Sequence, residues 1–427
     1  MDVPHMLVIP YPAQGHVKPL MELSHCLVEH GFKVTFLNTE FNHRRVVSAM
    51  SSGLMSRVVK FVWQRFLTGH LEEFIRNVND SDDIKFRCVI ADWTMGWAFK
   101  VAAKMGIPRA AFWPGSGALM ASVLNVNKLM ADQIIDANGV PYINQVIQLS
   151  PTMPLLNTDD LVWMCMGDPS VQQSIFDLIL KNNSTMELID YFMCNSSYEL
   201  EQPVFELFPH VRPIGPILSS SSRGNFWAED STCLSWLDQQ MDQSVVYVAF
   251  GSFTVFNKQH FEELALGLEL SGKPFLWVVR PDLMSGEAVE YPVGFIERVA
   301  SRGRMVSWAP QKDVLAHPSI ACFLTHCGWN STLEGLSMGV PFLCWPYFAD
   351  QFLNRTYICD VWKVGLKLKR DKSGVILRDE IKTKVDVLFQ DEEIKSNSKK
   401  LKEWATRSVS HGGASLKNLE DFMQKIK

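Results

Sequence analysis

No stretch of the 427-residue chain approaches the roughly 18–20 consecutive apolar residues that a membrane-spanning helix needs. The first apolar stretch, Met6–Pro10, is too short for the core of a secretory signal. The nine cysteines include no Cys-x-x-Cys pair and sit mostly in apolar strand or helix patterns. Reduced thiols, no metal site and a cytoplasmic location are therefore expected. A basic run is missing too. Lys395–Lys402 reads as a solvated helix face, and a net charge of −5 offers nucleic acid nothing to hold. Nor does a Gly-x-Gly-x-x-Gly follow the first apolar strand, which argues against an ordinary dinucleotide site there.

What the chain does have is apolar residues in quantity, at 47% with 11% aromatics, enough for large cores. The length suggests two or three domains. Short apolar strands alternate with helices in two series. The first holds His5–Pro10, a helix over about Leu20–Glu29, Lys33–Thr39, Arg87–Asp92, Ile107–Trp113, Asp190–Ser196 and Val211–Ile217. The second holds Val245–Ser252, Pro274–Arg280, Gly303–Trp308, Ala321–His326 and Val340–Pro346. Such alternation predicts parallel sheets covered on both faces, an α/β class with two Rossmann-like domains facing across a cleft. The polar, glycine-containing stretch Ser219–Asp230 marks the join. The division expected is 1–217, a linker over 218–232, and a second domain over 233–414.

The densest chemistry lies in Trp308–Gln351. Ala321–His326 reads as a buried strand, and Ser331–Gly339 as a helix that ends at glycine, with Asn330 or Ser331 as its N-cap. Free N–H groups at a helix N-terminus make an anion site suited to a diphosphate. Gly328 allows close backbone approach, and His326, Asn330 and Ser331 add donors. Glu334, one turn in, can accept from vicinal ribose hydroxyls. Trp308 offers a flat face to a nucleobase, with the Ala309 backbone at the base edge. Asp350 and Gln351 supply acceptors and donors for sugar hydroxyls. Asn330-Ser331-Thr332 is also a glycosylation sequon, and a glycan there would block this site.

This box starts at Trp, ends at Gln and runs 44 residues. It resembles the signature box of the plant family 1 UDP-glycosyltransferases, and the likeness extends from Ile9–His16 through Val248–Phe253 to the C-terminal helices. The resemblance implies the GT-B fold, with a last helix, here 415–427, returning to the N-terminal domain. It also implies places for Gln311 and Trp329 in the nucleotide site. In that family a terminal glutamine goes with glucose. One departure stands out. Between Phe41 and Trp63, where the family carries a variable loop and a further strand, only a short stretch occurs, with its seam near Ser51-Ser52-Gly53.

His16 lies just past the first strand, and Asp92 closes the Arg87–Asp92 strand. Carboxyl ends of parallel strands share one edge, so the two side chains can meet. A histidine suits a base working near neutral pH, and a carboxylate on its second nitrogen fixes the tautomer. The resemblance implies the same catalytic dyad at these positions. Asp92 can equally be a helix N-cap. Ser252 can donate to a phosphate oxygen, as its family counterpart does, or simply end a strand. Pro114 stands where relatives often place a threonine near the sugar 6-hydroxyl, leaving Ser116 as the substitute. Trp113, Met120, Met130, Trp163, Met164 and Met166 can line an acceptor pocket or be ordinary core.

The expected activity is inverting transfer of glucose from UDP-glucose to a hydroxyl of a small lipophilic acceptor, a plant phenolic, flavonoid or terpenoid. The expected protein is a monomer that uses no cofactor besides the donor. A GT-B sugar-nucleotide epimerase and a non-catalytic UDP-sugar-binding protein are the competing readings.

Overall fold

The structure, a computed structural model, describes residues 3–39, 59–63, 68–81, 85–218, 229–284 and 289–427. The chain divides into two compact units, Met1–Ala228 with Trp404–Lys427, and Glu229–Glu403. Most of the expected linker and the expected seam near Ser51–Gly53 lie outside the described residues. No helix among the described residues is long and apolar enough to cross a membrane. All nine cysteines are free thiols.

In the first unit the strands are β1 His5–Ile9, β2 Lys33–Asn38, β3 Val59–Trp63, β4 Phe86–Asp92 and β5 Arg109–Trp113. After a small hairpin of β6 Val146–Ile147 and β7 Leu156–Asn157 come β8 Tyr191–Cys194 and β9 Val211–Pro213. Seven of them form one parallel sheet in the order β3-β2-β1-β4-β5-β8-β9. Its strands are largely apolar because helices cover both faces; all five β1 residues are buried. The first helix starts at Gln14 rather than near Leu20 and carries Pro19 inside it. Proline forfeits a helical hydrogen bond, and burial of Val17, Leu20, Leu23 and Leu27 against the sheet offsets that loss.

The helix Ala414–Ile426 packs on this sheet through Leu419, Phe422, Met423 and Ile426. Ser415 Oγ donates to the Gly215 carbonyl at 2.6 Å, and Asn418 Nδ2 to that of Pro213 at 2.8 Å.

The second unit holds β10 Val245–Ala249, β11 Phe275–Val278, β12 Gly303–Val306, β13 Ile320–Thr325, β14 Phe342–Cys344 and β15 Gly365–Lys367. They form a parallel sheet in the order β12-β11-β10-β13-β14-β15, the Rossmann order with β10 as first strand. Val246, Val248, Trp277, Leu324 and Leu343 from the sheet meet Phe261, Leu264, Ile381 and Val385 in its core. In each unit the chain reverses direction across the sheet at its first strand. The switch points are β1/β4 in one and β10/β13 in the other, and ligands bind outside the carboxyl ends of strands at such points.

Candidate active site

At the β1/β4 switch point, Ile9 is in register with Ala91, one residue short of Asp92. His16 sits in the first turn of the Gln14–Glu29 helix, and its Nδ1 lies 2.7 Å from Asp92 Oδ2. Asp92 is fully buried, whereas the His16 side chain is 31% exposed. Asp92 also caps the short turn Trp93–Met95, its Oδ1 accepting from Thr94 N at 2.9 Å and Thr94 Oγ1 at 2.6 Å. One carboxylate oxygen thus faces His16 while the other caps the turn. An ionised Asp92 keeps the imidazole proton on Nδ1 and the lone pair on Nε2, the arrangement of a general base.

Ser116 is buried, and its Oγ caps the Gly117–Leu124 helix at Leu119 N, 3.2 Å away. The N–H groups of Gly117 and Ala118 go to the carboxylate of Glu201 at 2.7 and 2.8 Å, and Ser196 Oγ donates to it as well. That helix start is satisfied from within. Burial raises the Glu201 pKa, and these three donors oppose the rise. Nothing in the local sequence pairs Glu201 with Gly117, 84 positions away. Trp163 and Met120 are wholly buried, Trp163 against Phe176, and so are core. Met130, Met164 and Met166 keep partial exposure.

At the β10/β13 switch point, Ala249 is in register with Thr325. Two glycines flank the ring of His326. A Cβ on Gly251 would fall 2.5 Å from its Nε2, and one on Gly328 2.4 Å from the same atom. Gly251 also has a φ of +65°, so no other residue suits this turn. Burial, and then the charge of Arg280, push the His326 pKa down to about 4, against a hydrogen bond to the Ala249 backbone. Its Nδ1 lies 3.4 Å from Thr325 Oγ1. The ring of His326 thus lies against this turn, in the space that the two glycines leave open.

Arg280 was not legible as a site residue. It is buried, donates to the carbonyls of Gly251 and Thr254 (2.8 Å for the latter) and pairs with Asp282 at 2.8 Å. It thereby holds the 251–254 turn that carries Ser252.

The helix after β13 runs over Trp329–Met338 with Gly328 as N-cap. Asn330 and Ser331 thus occupy helical positions in the first turn, a correction to their expected capping role. Gly328 takes the cap because its extended backbone, at φ −62° and ψ 144°, ends the turn after Cys327. The first-turn N–H groups and the helix dipole still favour an anion. The Trp329 indole is buried beside Trp362, with 6.3 Å between centroids, so packing occupies it.

Beneath this helix start, Gln311 Nε2 donates to Ser331 Oγ at 2.9 Å and to Glu334 Oε2 at 2.6 Å. Tyr247 Oη donates to Gln311 Oε1 at 3.3 Å, its ring stacked on Phe323. The buried Glu334 carboxylate is therefore oriented before any ligand arrives. Trp308 is half-buried past the end of β12, its carbonyl accepting from Asp230 N at 2.9 Å, and Ala309 is buried.

At the far end of the box, Gln351 is 4% exposed, and its Oε1 accepts from Tyr347 N at 2.8 Å and Phe348 N at 3.1 Å. The expectation that Gln351 offers a ligand both donor and acceptor is corrected: its amide oxygen serves its own loop, leaving the amide N–H groups. Asp350 Oδ2 accepts from Asn354 Nδ2 at 2.8 Å.

Residues 174–405 match a family model described as UDP-glucoronosyl and UDP-glucosyl transferase. UDP-glycosyltransferase 83A1 of Arabidopsis thaliana is 43% identical to this chain, over all of it and 97% of that protein. Among solved structures, a UDP-glucosyltransferase from Polygonum tinctorium superposes with a TM-score of 0.86 at 28% identity. The match covers 100% of this chain and 99% of the other; that enzyme can glucosylate indoxyl and is in complex with 3,4-dichloroaniline. A second, Phytolacca americana UGT2 complexed with UDP-2-fluoro-glucose and pterostilbene, gives a TM-score of 0.85 at 27% identity, over 100% and 99% of the two chains.

Proposed function

Because the chain belongs to the plant family 1 UDP-glycosyltransferases, we propose that it transfers glucose from UDP-glucose to a hydroxyl of a small lipophilic acceptor, with inversion. The observation that carries the catalytic part is the 2.7 Å contact between His16 Nδ1 and the buried Asp92. His16 Nε2 takes the acceptor proton, and Asp92 stabilises the imidazolium that results. The acceptor oxygen attacks the anomeric carbon from the face opposite UDP, the bond to UDP breaks, and a β-glucoside forms without a covalent enzyme intermediate.

Trp308 stacks on uracil, with the Ala309 backbone at its edge, and Glu334 accepts from the ribose hydroxyls. Gln311 holds Glu334 for that task. The diphosphate lies at the start of the Trp329–Met338 helix, where Asn330, Ser331 and Ser252 add donors and Gly328 lets it approach. Charge developing on departing UDP meets N–H groups already aimed at it. Asp350 accepts from sugar hydroxyls and Gln351 donates to them.

Transfer uses no metal and no cofactor besides the donor. The aromatic molecules bound by the Phytolacca americana and Polygonum tinctorium enzymes support a lipophilic acceptor here, a phenolic above all. Incubation with UDP-glucose and a phenolic acceptor, read by product mass and UDP release, tests the reading. A β-glucoside formed with one UDP released per transfer supports it. UDP release without a glucoside, or neither product, contradicts it.

A further inference from the structure

Asn354 contributes nothing to the donor site as assigned above, yet it joins two of its parts. Its Nδ2 donates to the Cys327 carbonyl at 2.9 Å and to Asp350 Oδ2 at 2.8 Å. The side chain is 1% exposed. Cys327 lies in the turn between His326 and the Gly328 cap and adopts a φ of +67°, a left-handed conformation that a side-chain-bearing residue keeps only when its surroundings hold it. Asp350 stands at the opposite end of the box. One amide nitrogen thus spans from the phosphate-side turn to the sugar-side carboxylate.

The residue type follows from the chemistry. Both partners are acceptors, so the group between them must carry two N–H hydrogens and no competing lone pair. An asparagine amide meets this with one hydrogen for each. A carboxylate of the same size would set a third acceptor against the other two, and alanine would take this donor from both.

We propose that Asn354 is a positioning residue for glycosyl transfer, fixing the Asp350 carboxylate relative to the Cys327–Gly328 turn so that sugar and diphosphate are held in one register. This rests on the reading that Asp350 pairs with the donor sugar. Asn354 itself touches no substrate.

A double-mutant cycle on the full chain tests it, using Asn354→Ala, Asp350→Ala and the pair. The readouts are kcat/KM for UDP-glucose at fixed acceptor, UDP affinity by calorimetry, and Tm. A displacement of about 1 Å in a reacting group can cost about 10²-fold. Asn354→Ala is therefore expected to lower kcat/KM by roughly tenfold or more, and UDP affinity by less. In the Asp350→Ala background its further effect should shrink to about twofold or below, as coupled residues require. Additive losses, or an equal loss of UDP affinity, overturn the positioning role alone. An Asp350→Ala enzyme with unchanged kcat/KM overturns the sugar contact and the positioning role with it.

Should Asn354→Ala fail to fold, Asn354→Asp decides. Its introduced carboxyl, once protonated, regains one O–H donor. The kcat/KM of this variant relative to wild type should then rise as pH falls from about 8 to about 5. A ratio flat with pH contradicts the proposal.

Discussion

Gln351 gives its amide oxygen to the backbone N–H groups of Tyr347 and Phe348, at 2.8 and 3.1 Å, and so ties down the loop that precedes it. The residue that ends the box therefore has a structural half, its Oε1, and a half available to a donor sugar, its Nε2. Substitution separates them. Gln351→Glu keeps two acceptor oxygens for the loop and loses the N–H donors. It should keep the wild-type Tm while kcat/KM for UDP-glucose falls. Gln351→Ala should lose both, with a stability cost of about 1–3 kcal/mol from unpaired backbone groups. Equal Tm losses in the two variants would show that the loop does not depend on Oε1. In the intact enzyme, a polar group left unpaired by the wrong sugar costs about 1–3 kcal/mol, so UDP-glucose should exceed UDP-galactose by roughly tenfold in kcat/KM. Equal rates with the two donors would remove Gln351 from sugar selection.

Trp308 should set affinity for the base. Stacking on an aromatic face contributes about 1–3 kcal/mol when judged from alanine substitutions. Calorimetry on Trp308→Ala should show UDP binding weakened by roughly 5- to 150-fold. Unchanged affinity would take Trp308 out of the site.

His326 makes stability depend on acid. Its pKa in the folded protein is pushed down to about 4, below its ordinary value of about 6.5 in an unfolded chain. Between these values the unfolded chain binds more protons, so stability should fall as pH drops through that window. Above about pH 7.5 the ring is neutral in both states and adds almost no slope. Thermal unfolding from about pH 7 to about pH 4 should show this fall, and His326→Gln should flatten it. An undiminished slope in the variant would place the titration elsewhere.

Much of this was legible in the sequence because it depends on local pattern. Buried parallel strands leave largely apolar runs, and the alternation of strand and helix marked both sheets. Strand position at a shared edge was enough to bring His16 to Asp92. Strand β3, Val59–Trp63, was missed: it is short, and among the described residues it pairs with β2 alone, at the edge of the sheet. Strand β15 is three residues long and leaves little pattern. The remaining omissions share a cause. Arg280 reaches Gly251 across 29 positions, Asn354 reaches Cys327 across 27, and Glu201 reaches Gly117 across 84. Each is an ordinary polar residue in its own segment, and its use follows only from which strands and turns the fold sets side by side. The Gln351 oxygen was misjudged for a related reason, since composition says what an amide can do but not which backbone groups reach it first.

The central claim is that His16 is the base, acting on the acceptor and not on the nucleotide. The most direct measurement sets the initial rate of His16→Ala, with UDP-glucose and a phenolic acceptor, beside its UDP affinity. Loss of a general base costs about 10²–10⁴-fold, so transfer should fall by that amount while UDP affinity stays within about twofold of wild type. A variant that keeps more than half its transfer rate, or one that loses transfer only in proportion to UDP binding, would contradict the account.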